Sequence, residues 1–146
     1  MSKNHNLLLQ GPSCFSPSKI LSLNSEINSA NENSIIELSC LEFYSVNVSQ
    51  DFSDHVKLLE LLSSKESTRL PNFFVGPRSG TISPWASKTR EIIINVGIQG
   101  VHSVEKYLGY FIKEDISSSN LDLTCLFDRM TQEVFRNEED LSLIHI

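Results

Sequence analysis

The sequence is short of the residues that usually announce chemistry. Its 146 residues include 3 cysteines, 2 methionines, 1 tryptophan and 6 glycines. Cys14, Cys40 and Cys125 are widely spaced and form no Cys-x-x-Cys pair. That spacing argues against a zinc ribbon or a disulfide framework, and all three read as small core residues. Basic residues are outnumbered by acidic ones, 12 to 18, for a formal charge of −6. A nucleic-acid binder would carry the opposite imbalance. No apolar run reaches the roughly eighteen residues of a membrane span. The start, "MSKNHNLLLQ", has too short an apolar stretch for a secretory signal. The expectation is a soluble, cytoplasmic protein with neither a membrane nor a nucleic-acid partner. His5, His55, His102 and His145 lack metal-ligand spacing, so no metal site is expected.

What is present suffices for one domain with a core, since 40% of the residues are hydrophobic. Leu7–Leu9 suits a buried strand. Ser16 and Pro17 make an N-cap and first helical position, followed by Ile20, Leu23 and Ile27 at helical spacing. Ile35–Val48 is rich in β-branched and aromatic residues and predicts a long strand. Asp51 then caps a second predicted helix whose apolar face is Phe52, Val56, Leu59 and Leu62.

The order then recurs. "NFFV" predicts a short strand, and Ser83 and Pro84 start a helix with Trp85, Ile92, Ile93 and Val96 on one side and Gly97 as a left-handed cap. Val101–Ile112 predicts another long strand. "NLDLTCLFDRMTQEVF" predicts a last helix with a stripe of Leu123, Leu126, Phe127, Met130 and Val134. Ser16 and Ser83 lie 67 positions apart, and the same offset carries the first long strand and second helix onto their counterparts. The pattern is βαβα written twice: an α+β fold with about four strands in a mostly antiparallel sheet and helices packed on it.

The densest stretch is "FFVGPRSGTISPWASK", Phe73–Lys88. Gly76 and Gly80 suit a close backbone approach, Arg78 suits a carboxylate or phosphate, and the helix start at Pro84 has a positive dipole end. The stretch lacks a P-loop's Gly-Lys-Ser/Thr and the Gly-x-Ser-x-Gly frame of a nucleophile elbow. Its chemistry favours a strand-to-helix turn pinned by Trp85 and a buried arginine network over a small anion-binding loop. Glu105, Lys106 and Lys113 read as an exposed strand face, and Arg136–Asp140 as an acidic linker. No set of nucleophile, base and oxyanion donors emerges, so no catalytic residue is expected.

The wording of Val75–Ile98 resembles the N-terminal domain of the large form of phosphoribosylformylglycinamidine synthase. The matching signature is Pro77, Arg78, Gly80, Thr81, Ile82, Ser83, Pro84, Trp85, Ser87 and Lys88, followed by Glu91, Ile92, Asn95 and Gly97. Thr89 and Arg90 depart from it, where relatives more often carry Ala-Thr. Further likeness lies in "GPSCFSPSKI", "VEKYLGYFI" and "LFDRMTQEVF".

The resemblance implies a parent ligase of purine synthesis that uses ATP, Mg2+ and glutamine, with both reactive sites in later domains and no cofactor in this fragment. It implies that the domain is similar to a fused dimer of the short-form enzyme's small subunit, bridging the glutaminase and synthetase domains of its own chain and supporting ammonia passage. The alternative is a free-standing scaffold subunit of a split enzyme. Arg78, Thr81, Ser87 and Lys88 are the expected docking residues, with Pro77, Gly80, Ser83, Pro84, Trp85, Asn95 and Gly97 as the structural signature. The expected bounds are a bridging domain over 1–136, the start of a linker over 137–140, and a tail over 141–146. That tail, "LSLIHI", is worded like a translated sequencing adapter and is expected to be non-native.

Overall fold

The computed structural model describes residues 5–13, 15–31, 37–67, 69–78, 81–112 and 124–136. β1 (His5–Ser13) leads to α1 (Pro17–Ala30), whose Ser16 side chain accepts from the Lys19 amide as expected of the cap. Leu23 and Ile27 are the buried positions of α1. Asn24 Oδ1 accepts from the Leu38 amide at 2.7 Å, which ties α1 to the start of β2 (Leu38–Val48). α2 (His55–Leu61) is shorter than predicted and starts after Asp54 rather than Asp51. Its buried residue is Leu58, whereas the predicted core residue Val56 is 69% exposed. Next come β3 (Lys65–Glu66), β4 (Phe73–Pro77), α3 (Pro84–Asn95) and β5 (Val101–Ile112). A 3-10 turn at Thr124–Leu126 and β6 (Gln132–Phe135) follow. Gly97, just past α3, has φ +88°, the left-handed cap its position predicted.

The fold is α+β with a mostly antiparallel sheet, as expected, but among the described residues the sheet has six strands rather than four, in the order β3-β1-β2-β5-β4-β6. Its spine is the β2–β5 ladder, which runs from Leu38↔Ile112 to Val48↔Val101. Alternation along these strands sorts side chains to two faces. On the helical face, Leu9, Tyr44, Val46, Val104 and Ile93 form one cluster under α2 and α3. Leu23, Ile27, Leu38, Cys40, Phe73, Val75 and Tyr110 form a second under α1. One residue out of phase, on the opposite face, are Phe43, Phe74, Tyr107, Phe111 and Phe135. Their rings meet edge to face, Phe43–Phe74 at 5.5 Å and Tyr107–Phe135 at 5.6 Å. Gly76 permits this packing, because a Cβ there would run into the Tyr107 ring.

The predicted last helix is the main correction. Its first residues, including Leu123, lie outside the described residues. Beyond the 3-10 turn the chain reverses at Asp128, whose Oδ1 accepts from the Met130 amide and whose carbonyl accepts from the Thr131 and Gln132 amides. Gln132–Phe135 then pairs with β4, from Phe74↔Phe135 to Pro77↔Gln132. A long-range ladder places Phe135 in the aromatic cluster, and Met130, counted in the helical stripe, is 85% exposed. The stripe at helical spacing was fortuitous. Cys40 is buried but disulfide-bonded, unlike the plain core thiol expected, and Cys125 is free and half-buried.

Candidate functional site

The dense stretch lies where the sheet forks. β4 pairs with β5 only from Phe73↔Tyr110 to Val75↔Leu108, then diverges and keeps β6 as its neighbour. Among the described residues no strand lies beside Val101–Tyr107 on that side of β5. The start of α3 fills the gap, held by a residue that the sequence placed on an exposed face. Glu105 is only 3% exposed. Its carboxylate accepts from Ser83 Oγ at 2.6 Å, the Ser83 amide at 3.3 Å and the Lys106 amide at 3.0 Å. Ser83 Oγ in turn accepts from the Ala86 amide at 3.0 Å. A serine suits this position because one hydroxyl donates to a carboxylate while accepting from the first turn of the helix.

Trp85 is half-buried beside this junction. It stacks on Tyr44 with centroids 5.6 Å apart and planes 8° from parallel. Lys106 Nζ lies 5.5 Å from the indole centre and 4.0 Å from Glu42 Oε1. The Tyr44 hydroxyl donates to Glu42 Oε2 at 2.8 Å. Burial first, then the Glu42 hydrogen bond and charge, push the Tyr44 hydroxyl well above its ordinary pKa. Tyr107 is pushed up further, by burial and then by Glu105 and Glu133. Its buried hydroxyl has no hydrogen-bond partner among the described residues.

The residues expected to dock partners are all exposed. Arg78 does not belong to a buried arginine network: its Nη1 donates to the Arg129 carbonyl at 2.8 Å, and its amide donates to the Thr131 carbonyl. The Thr81 amide and hydroxyl both donate to the Arg78 carbonyl, at 3.1 and 2.6 Å. Arg78 therefore braces the end of β4 against the Asp128–Thr131 turn. Ser87 and Lys88 point outward from α3, as does Asn95 at its end. Pro77 is half-buried, and Gly80 lies outside the described residues. Two clefts flank the α3 start. One, about 600 Å³, runs from Val75 and Pro77 past Arg78, Trp85 and Lys106 to Met130 and Gln132. The other, about 430 Å³, lies between the α3 residues Ser87, Arg90 and Ile94 and the β5 residues His102–Val104. Thr81, Ile82 and Glu105 border both.

Glu105, already holding three donors, is not a free base. No three His, Cys, Asp or Glu side chains among the described residues converge as a metal site, and no described helix is long and apolar enough to cross a membrane. Sequence reasoning missed Glu105 and the Asp128–Gln132 turn. The one available signal was an acidic residue in a strand otherwise dominated by buried positions.

These features define a class: an antiparallel α+β domain whose most elaborate local structure secures a helix start between two open clefts. Residues 42–145 match the family described as formylglycinamide ribonucleotide amidotransferase N-terminal, and the chain belongs to that family. It is also 30% identical over 156 residues to phosphoribosylformylglycinamidine synthase of Saccharomyces cerevisiae, an alignment covering 74% of this chain and 11% of the relative. The chain therefore spans about a tenth of that relative's length.

Proposed function

We propose that this chain is the N-terminal region of a phosphoribosylformylglycinamidine synthase, and that it serves the parent enzyme as a docking and bridging domain. The parent would form formylglycinamidine ribonucleotide from formylglycinamide ribonucleotide, glutamine and ATP, with Mg2+, in purine synthesis. Ammonia released by a glutaminase domain would reach a synthetase domain across a junction that this domain helps to close. The family match over 42–145 carries the reading. The exposure of Arg78, Thr81, Ser87 and Lys88 around a rigidly capped helix start supports a docking role for them.

The duplicated plan is part of the same proposal, and the β2–β5 register supports it. The 67-residue step from Ser16 to Ser83 also carries Leu41 and Glu42 onto Leu108 and Gly109. Those are the residues they face across the ladder, as Leu41↔Gly109 and Glu42↔Leu108. An internal two-fold axis through that point would exchange the halves.

The test is a chimera in which this chain replaces the corresponding region of the yeast synthase. The expected result is glutamine-dependent synthesis retained by the chimera and lost on deletion of the region. A deletion that leaves glutamine-dependent synthesis intact would refute the bridging role. The isolated 146-residue chain is expected to turn over neither glutamine nor ATP.

A further inference from the structure

The cationic side chains of this acidic protein are unevenly placed. Of its 12 Lys and Arg residues, Arg78, Lys88, Arg90, Lys106 and Arg129 lie on α3, on the turn that precedes β6, or in the walls of the two clefts. Among the described residues, Arg78, Lys88, Arg90 and Arg129 have no carboxylate within 4.0 Å, and Lys106 only just reaches Glu42. The nearby acids do not cancel this set. Glu105 is buried and fully engaged, Asp128 is turned into its own loop, and Glu91 lines the smaller cleft but not the larger one. Between the cations lies apolar surface. Val75, Leu108 and Trp85 line the larger cleft, and Ile82 and Met130 at its margin are 76% and 85% exposed.

We propose that the larger cleft is the seat of an extended acidic polypeptide segment with an apolar anchor. The anchor packs against Trp85 and Met130, and flanking carboxylates meet Arg78 on one wall and Lys106 on the other, with Arg129 exposed on the adjoining turn. An Arg78 with no carboxylate partner among the described residues and a Lys106 held only at 4.0 Å by Glu42, around an apolar floor, select such a segment by charge and hold it by burial, and they disfavour a basic one. The source of the segment, a later part of the same parent polypeptide, rests on the function proposed above; the chemistry of the cleft does not.

Trp85 is the only tryptophan and therefore reports on the cleft directly. The full 146-residue chain is titrated with a blocked peptide of four glutamates and two leucines, with its lysine counterpart, and with inorganic phosphate. Expected is a saturable change in Trp85 emission with the acidic peptide alone. The apparent Kd should weaken about tenfold in Arg78→Glu or Arg129→Glu and by a similar factor on raising salt from low to about 0.5 M. Circular dichroism checks that these exposed substitutions leave the fold intact. An equal response to the lysine peptide, a response to phosphate alone, or binding indifferent to both variants would overturn the proposal. Because this titration needs no parent enzyme, it can fail while the chimera succeeds, and the reverse. In the chimera, a photo-crosslinker in place of Met130 should mark an Asp- and Glu-rich segment of the remainder. Crosslinking to a second copy or to a basic segment would refute the assigned source.

Discussion

Ser83→Ala tests how the start of α3 is held. The change removes the cap to the Ala86 amide and the hydroxyl donated to Glu105 at 2.6 Å. Loss of a serine cap costs about 1 kcal/mol. Loss of a hydrogen bond to a charged group costs about 1.5–3 kcal/mol, towards the upper end here because Glu105 is 3% exposed and water cannot readily replace the donor. The Ser83 and Lys106 amides remain bonded to the carboxylate, so the two losses do not simply add. A total of about 3 kcal/mol is expected, equivalent to a fall in Tm of about 10 °C for a chain of this size. The assay is urea unfolding followed by Trp85 fluorescence, with Ser83→Thr as the conservative control and Ser83→Ala/Glu105→Gln closing a double-mutant cycle. The cycle should show a coupling of about 1–2 kcal/mol between the two side chains. A loss below about 0.5 kcal/mol, or no coupling, would refute the claim that the hydroxyl satisfies a buried carboxylate.

Gly76→Ala should cost about 3 kcal/mol, because the new Cβ collides with the Tyr107 ring, and a neutral effect in chemical denaturation would contradict that packing. Arg78→Ala should cost only about 0.5–1 kcal/mol, since the exposed guanidinium loses one bond to the Arg129 carbonyl; several kcal/mol would mean that it is buried in solution. Gly97→Ala should cost about 1 kcal/mol through its φ of +88°, measurable in the same way, since nothing crowds the site. All three tyrosines titrate above their ordinary value of 10.0, with Tyr110 pushed up to about 12 by burial and then by Cys125. Raised folded-state values favour the neutral phenols, so this contribution is complete below pH 10 and is lost as pH rises from about 10 through 12. Tyrosinate absorbance should therefore rise together with loss of ellipticity, and a tyrosine ionising near pH 10 in folded protein would disprove this.

Local chemistry was legible where short-range rules dominate. Ser16–Pro17 and Ser83–Pro84 start helices because capping needs only the next turn, and Gly97 ends one because left-handed backbone disfavours a side chain. The long strands were legible from their β-branched and aromatic runs. What failed depended on distant partners. Val134 belongs to a helical stripe in sequence, and Phe135 to the same predicted helix, but both are claimed by β4, some sixty residues earlier. Val56 and Leu58 are both apolar, and only the orientation of α2 on the sheet decides that Leu58 is buried. Glu105 reads as a surface residue until β4 is known to part from β5 and a serine hydroxyl to arrive in the gap. The resemblance identified the family from Pro77–Lys88 although it gave no geometry for Arg78, whose brace to Arg129 crosses 51 positions.

The Glu105 arrangement also bears on solubility. Where β4 departs, β5 would offer a row of amides to any passing strand, the opening through which sheets join edge to edge and aggregate. Here the Lys106 amide is already taken by a carboxylate on the same strand, and a helix start stands over the remainder. An intruding strand would have to displace a buried charge to pair there. A Glu105→Leu substitution could therefore leave a folded protein with a new tendency to associate through β5.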